Sequence, residues 1–171
     1  MVLGKGNTPR VAQGGPLGYD PPNLNGITVL VVDDDSDARG VIARILRDGR
    51  ASVITAASAA EALEILREVK PALLISDIGM PGEDGYDLIR KVRALPPESC
   101  GRVPAVALTA FARSEDRQRA LLAGYQLHVA KPVEPSELLT VCASLVGRIS
   151  IPEADRTTEA GGLGSVAKTL G

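Results

Sequence analysis

The sequence predicts an α/β domain: a five-stranded parallel sheet with helices on both faces. Three observations carry that expectation. Between residues 27 and 146, short β-branched runs alternate with segments of helical period five times over. The strand runs are apolar along their whole length, as in strands buried on both faces, rather than apolar at every second residue. Strict strand–helix alternation joins strands by right-handed crossovers, which makes the sheet parallel.

Ile27–Val32 is the first strand. Ala38, Val41, Ile42, Ile45 and Leu46 then fall at i, i+3, i+4, i+7 and i+8, one inward face of a helix that ends near Gly49. Ser52–Thr55 reads as the second strand. Ser58-Ala59-Ala60-Glu61 is a capping box, in which serine and glutamate each satisfy a free amide, and its helix turns Ala62, Leu63 and Leu66 inward. Ala72–Ser76 is the third strand, running into a glycine-rich turn from Asp77 to Gly85, after which Leu88, Ile89 and Val92 mark a third helix. The fourth strand is Val103–Leu108, with Pro104 at its start, where a missing amide is tolerated. Ser114-Glu115-Asp116 opens a fourth helix with acids in its first turn, where the helix dipole favours them. Gln126–Ala130 is the fifth strand. Pro135 suits the first turn of a last helix that buries Leu138, Leu139, Cys142, Leu145 and Val146.

Composition narrows the function classes. Of 171 residues, 44% are hydrophobic and only 2% aromatic, so the core is aliphatic and a base-stacking platform is not expected. The net charge is −2, which is no electrostatic footprint for nucleic acid. The longest stretch without a charged residue, Pro21–Val32, has twelve residues, against roughly 18 needed for a membrane span. Pro9, Gly14, Gly15 and Pro16 break up any signal-peptide apolar region, so the expected compartment is the cytoplasm. Cys100 and Cys142 form no C-x-x-C pair and read as buried structural thiols. Residues 1–26 hold six of the 18 glycines and four of the 12 prolines, and 147–171 hold five more glycines and Pro152. Both ends are expected to be flexible, leaving 27–146 as the single domain.

In parallel α/β sheets, ligands bind beyond the carboxyl ends of the strands. The residues there are Asp33, Asp34 and Asp35 after the first strand, Asp77 after the third, Thr109 after the fourth and Lys131 after the fifth. Any of these alone is a turn, cap or loop residue. Together they place several carboxylates in one cleft, which requires a proton or a cation. A hard divalent ion with oxygen ligands, Mg²⁺, meets that need. A lysine and a hydroxyl beside it can meet phosphoryl oxygens, and an aspartate can itself accept the phosphoryl group.

Four segments carry a family resemblance: Val29-Leu30-Val31-Val32-Asp33-Asp34-Asp35, Ser76-Asp77-Ile78-Gly79-Met80-Pro81-Gly82-Glu83-Asp84-Gly85, Ala107-Leu108-Thr109-Ala110 and Ala130-Lys131-Pro132. In this order and spacing they resemble the receiver domains of two-component response regulators. The resemblance implies a flavodoxin-like (βα)5 fold with strand order 2-1-3-4-5. It implies Asp77 as phosphoacceptor and Asp33 and Asp34 as the acidic pair, Asp34 binding Mg²⁺ directly and Asp33 through water. Gly79 would lend its backbone carbonyl to the metal. Thr109, with Ala110 after it, would be the switch hydroxyl, Lys131 the cation on the phosphoryl group, and Pro132 the proline that follows it, often after a cis bond. Asp35 is expected to cap or open the first helix instead. His128, the single histidine, stands three residues before the lysine, where the family often has Tyr or Phe; it is a candidate switch residue.

The implied function is a bacterial phosphoacceptor signalling protein rather than a conventional enzyme, with intrinsic phosphotransfer and autodephosphorylation chemistry. Its implied partners are a sensor histidine kinase or phosphotransfer protein and a downstream protein, with neither nucleic acid nor membrane. The fourth helix, fifth strand and fifth helix form the face that the resemblance offers for a homodimer. Two other readings within this family are an interaction module that works without phosphorylation and a receiver cut from a hybrid histidine kinase. The intact acidic pair, Asp77, Thr109 and Lys131 speak against the first; the opening Met1 and the absence of a kinase segment speak against the second. The C-terminal tail is too short for a helix-turn-helix output domain. A calcium loop counted from Asp33 fails, because its sixth and twelfth positions are Ala38 and Arg44 rather than Gly and Glu. A phosphatase of the haloacid-dehalogenase type would share Asp33-Asp34-Asp35 but leaves Asp77 and Lys131-Pro132 without roles.

Overall fold

A computed structural model describes residues 22–110 and 113–148. The strands are β1 (Thr28–Val32), β2 (Ser52–Ala56), β3 (Leu73–Asp77), β4 (Ala105–Thr109) and β5 (Leu127–Ala130). The helices are α1 (Ser36–Asp48), α2 (Ala59–Val69), α3 (Gly85–Arg93), α4 (Ser114–Ala123) and α5 (Pro135–Leu145), with a 3-10 turn at Pro97–Ser99. All pairings are parallel and the order is β2-β1-β3-β4-β5. Apart from residues 22–26 and 147–148, the two ends expected to be flexible lie outside the described residues. No helix among the described residues is long and apolar enough to cross a membrane.

The apolar strand runs bury both faces of the sheet. Leu30, Val32, Leu74, Ala105 and Ala107 point to one side and pack with Ala62 and Leu66 of α2 and Leu88, Ile89 and Val92 of α3. Val29, Val31, Leu73, Ile75, Val106 and Val129 point to the other, against Ile42, Ile45 and Leu46 of α1 and Leu138 and Cys142 of α5. Burial of this kind contributes roughly 25 cal/mol per Å² of apolar surface, and here aliphatic side chains supply nearly all of it. Three expectations need correction. Val41 is 57% exposed, because α1 shows the sheet a narrow stripe centred on Ile42, Ile45 and Leu46. Leu139, Leu145 and Val146 are only partly covered, α5 lying at the margin of its layer. Cys100 is half-buried rather than buried, since it follows the 3-10 turn outside the sheet layers, whereas burial pushes the Cys142 thiol up to about 12.

The helices start where their side chains can cap them. Asp35 accepts from the amides of Asp37 and Ala38 at 2.9 and 3.4 Å, the capping role expected of it. Ser58 Oγ accepts from the Glu61 amide at 3.2 Å, but Glu61 reaches back to the amide of Ala57 rather than Ser58. The reciprocal capping box is instead Asp84 with Asp87 at the start of α3. It fixes the end of the β3–α3 turn, where Gly85 leaves no room for a side chain. A Cβ on Gly85 would come within 2.5 Å of the Asp77 carbonyl oxygen and 2.7 Å of Ile78 Cα. The Gly85 carbonyl also accepts the Tyr125 hydroxyl at 2.7 Å.

These contacts set opposite signs for two glycine substitutions. Gly85→Ala forces backbone apart and should lower stability by about 1–3 kcal/mol. Gly40→Ala sits in α1, where a Cβ meets nothing within 4 Å, and should raise stability by about 0.5–1 kcal/mol. Urea unfolding midpoints of the two variants, at unchanged slope, check both directions.

Candidate functional site

Strand order brings the candidate residues together. The chain leaves β1 and crosses to opposite sides of it for β2 and β3, so a crevice opens between the carboxyl ends of β1 and β3. Asp33 follows β1, Asp77 ends β3, Thr109 ends β4 and Lys131 follows β5. The register continues this alignment: Asp77 lies beside Leu108, and Thr109 beside Ala130. The backbone amide of Lys131 donates to the Thr109 carbonyl at 2.8 Å, which ties the β5 loop to the end of β4.

Carboxylate oxygens of Asp33, Asp34 and Asp77 all lie within 4.8 Å of one another. Asp33 is 1% and Asp77 7% exposed, while Asp34 faces outward. Lys131 Nζ stands 3.1 Å from Asp33 Oδ2 and 3.0 Å from Asp77 Oδ1, so one ammonium bridges two of the three acids. The other oxygen of Asp33 accepts the Asp35 amide at 3.0 Å. No hydrogen bond or ion pair among the described residues engages the Asp34 carboxylate. Two of the three clustered carboxylates thus share one cation, and the oxygens of all three form a hard donor set within 4.8 Å of one another.

Electrostatics follow from this crowding. Burial raises the pKa of Asp77, and the charges of Asp33 and Asp34 add to that effect against the hydrogen bond from Lys131. Burial alone would lower Lys131; its hydrogen bonds to Asp77 and Asp33 outweigh this, and its pKa stands above the ordinary lysine value. The ammonium is therefore firmly charged, while the Asp77 carboxyl ionises less easily than an ordinary aspartate.

The remaining candidates divide. Gly79, Thr109 and Ala110 line a cavity of about 400 Å³ that also contains Asp77 and Lys131. The Lys131–Pro132 bond is cis, and Pro132 is exposed. His128 lies elsewhere: on β5 beside Ala107, lining a separate cavity of about 320 Å³ with Arg117, Leu121 and Glu137. Its Nε2 is buried with no hydrogen-bond partner among the described residues. Burial, and then the Arg117 charge, hold its pKa below the ordinary imidazole value.

Several residues of the site had no motif to announce them. Arg39 donates to the Asp33 carbonyl at 2.7 Å, about one turn into α1. Tyr86, Asp116 and Arg119 complete the wall of the Asp77 cavity. The only sequence signals were that Tyr86 is one of just three tyrosines and that Asp116 and Arg119 are one helical turn apart.

Comparison with known proteins agrees with this geometry. The family model of the response regulator receiver domain matches residues 29–143. A 14.6 kDa protein of Leptolyngbya boryana is 49% identical over 111 residues, which cover 65% of this chain and 83% of that protein. The response regulator Rre1 of Synechocystis is 37% identical over 123 residues, 71% of this chain but 52% of Rre1. The chain thus spans about half the length of Rre1, as it does of the transcriptional regulatory protein PrrA of Mycobacterium tuberculosis. Among solved structures, the receiver domain of a sensor histidine kinase from Pseudomonas aeruginosa PAO1, with magnesium in its active-site cleft, is 32% identical. It has a TM-score of 0.65 and covers 71% of this chain and 98% of that one. Chemotaxis protein CheY4 of Vibrio cholerae is 28% identical with a TM-score of 0.65, covering 70% of this chain and 98% of its own. With the fold, the strand-end acids and the lysine bridge all in agreement, the chain belongs to the family of response regulator receiver domains.

Proposed function

We propose that the chain accepts a phosphoryl group on Asp77 from the phosphohistidine of a sensor kinase or phosphotransfer protein and signals through protein contacts in the cytoplasm. The observation that supports it most directly is the Asp77 carboxylate, set between the Lys131 ammonium and two further acids at the end of β3. An Asp77 oxygen attacks phosphorus, and the P–N bond breaks with its electron pair going to the imidazole. A phosphohistidine protonated on its other nitrogen then leaves as neutral imidazole. Lys131 meets one oxygen of the phosphoryl group in transfer, and the Thr109 hydroxyl and Ala110 amide meet the others.

The three acids and the Gly79 carbonyl would hold Mg²⁺, Asp34 and Asp77 directly and Asp33 through water; bound there, the ion neutralises the carboxylates and the transferring oxygens. Water later attacks the phosphorus of the acyl phosphate, releasing phosphate and restoring the carboxylate. The added charge, about −1.5 to −2 by analogy with other phosphorylated side chains, shifts a two-state equilibrium of the Thr109 loop and the face formed by α4, β5 and α5. That face shows Leu121 and Leu122 at 41% and 86% exposure, which suits a protein partner or a second copy of the chain. His128 lies on the same face and takes part in the switch.

Three outcomes test this reading. Incubation with Mg²⁺ and acetyl phosphate should add one phosphate to the parent chain and none to Asp77→Asn, read by intact mass. Equal uptake by both would place the phosphoacceptor elsewhere. Asp34→Ala should weaken Mg²⁺ binding by about 10-fold or more, judged from the usual cost of disturbing a metal shell. Asp35→Ala should instead leave affinity near the parent and cost about 1 kcal/mol of helix-cap stability. Equal losses of affinity would show that the acidic triplet is read in the wrong register.

The third concerns His128. Its folded-state pKa is depressed, so the native state binds its proton less readily than the unfolded chain does. The contribution to stability is full above about pH 6.5 and is lost as pH falls through the lower folded value. The parent should therefore lose more stability than His128→Gln between pH 7 and pH 5. Beryllofluoride should raise the NMR titration midpoint of the imidazole. An unmoved midpoint would remove His128 from the switch.

A further inference from the structure

Lys131 is engaged by two carboxylates before any phosphate arrives, so its single positive charge is already matched. A phosphodonor brings about two more negative charges into the same crevice. Among the described residues, one other cation lines the Asp77 cavity: Arg119, on the second turn of α4. Its guanidinium carbon lies 4.2 Å from the centroid of the Tyr86 ring. Tyr86 is only 6% exposed, so the ring is a fixed wall, whereas the arginine is exposed and forms no ion pair among the described residues. A guanidinium resting on a ring at an exposed site is weakly held. A charge-assisted hydrogen bond to a phosphoryl oxygen is the stronger contact, and arginine makes it with two nitrogens at once.

Asp116 lines the same cavity one helical turn before Arg119. It carries the opposite charge, so the two residues act on an entering anion with opposite sign. The small side chains of Gly79 and Ala110 leave the space between this lip and Asp77 open; a Cβ on Gly79 would meet nothing within 4 Å.

We infer that Arg119 is the residue that recognises small anionic phosphodonors, of the acyl phosphate class: it leaves the Tyr86 face and contacts the phosphoryl oxygens of a donor in the Asp77 cavity, with Asp116 opposing it. This rests on Asp77 being the phosphoacceptor. The step balances without a further reactant: an Asp77 oxygen bonds to phosphorus, the bond from phosphorus to the acyl oxygen breaks, and the carboxylate leaves with that electron pair.

The experiment is the initial rate of phosphorylation of the full chain at fixed Mg²⁺ over a range of acetyl phosphate concentrations. Arg119→Ala should raise the half-saturating concentration by about 3- to 10-fold, the effect of one charge near a partly solvated anion, with the maximal rate little changed. Arg119→Lys should recover most of the loss, and Asp116→Asn should lower the half-saturating concentration below that of the parent. In the parent, beryllofluoride should shift the Arg119 Nε–H and Tyr86 ring resonances, because the cation leaves the ring. Phosphate uptake by the parent with an unchanged half-saturating concentration in Arg119→Ala overturns this inference alone. So does a fall in maximal rate without a change in that concentration. No uptake by the parent overturns the Asp77 assignment and this inference with it.

Discussion

The ammonium of Lys131, shared between Asp33 and Asp77, is the contact on which the functional end of the molecule depends. Two like charges 4 Å apart repel by about 4 kcal/mol where the effective dielectric constant is about 20. That is a large part of the roughly 5–15 kcal/mol by which a domain is stable. Three carboxylates within 4.8 Å cannot stand at the end of a buried sheet unless something opposes them. The lysine opposes two of them and, in doing so, ties the loops after β1, β3 and β5 into one unit. The third acid, Asp34, stays at the solvent side, where water screens it.

The aliphatic core makes this concentration of charge tolerable. Every residue of β3 and β4 is buried, so the strand ends are held in register by packing on both faces and cannot spread to relieve repulsion. The glycine at the start of α3 packs close to the same strand end, where a Cβ would fall 2.5 Å from the Asp77 carbonyl oxygen. Arg93 adds a polar clamp, donating to the Gly124 carbonyl through two nitrogens at 3.0 and 2.8 Å and to the Gly101 carbonyl at 3.0 Å. It fastens the end of α3 to the turn that leads into β5.

By contrast, α4 is lightly attached. It buries only Ala120, has no side-chain N-cap, and turns Leu121 and Leu122 toward solvent. A helix with one buried residue gains little from packing, and elements of that kind are the ones that shift most readily in native proteins. Its position beside both the Asp77 cavity and the His128 cavity connects the acidic crevice to an outer face without passing through the core.

The sequence by itself determined the elements and the chemistry of the strand ends. Apolar runs, helical spacing and turn residues are local properties, so the five strands, the five helices and the set Asp33, Asp34, Asp77, Thr109 and Lys131 could be read along the chain. Where local reading failed, tertiary contact was the reason. Val41 has the right helical phase for burial, yet the width of the stripe that meets the sheet excludes it. The Ser58–Glu61 pattern is capping-box-like, but the glutamate's reach selected the Ala57 amide. What only the tertiary structure decided is which charges meet. Lys131 pairs with Asp33 across 98 residues of sequence, Arg119 rests on Tyr86, and His128 falls in a cavity of its own. Those meetings depend on strand order, helix rotation and side-chain reach, which arise only when separate elements pack together, and no spacing along the chain encodes them.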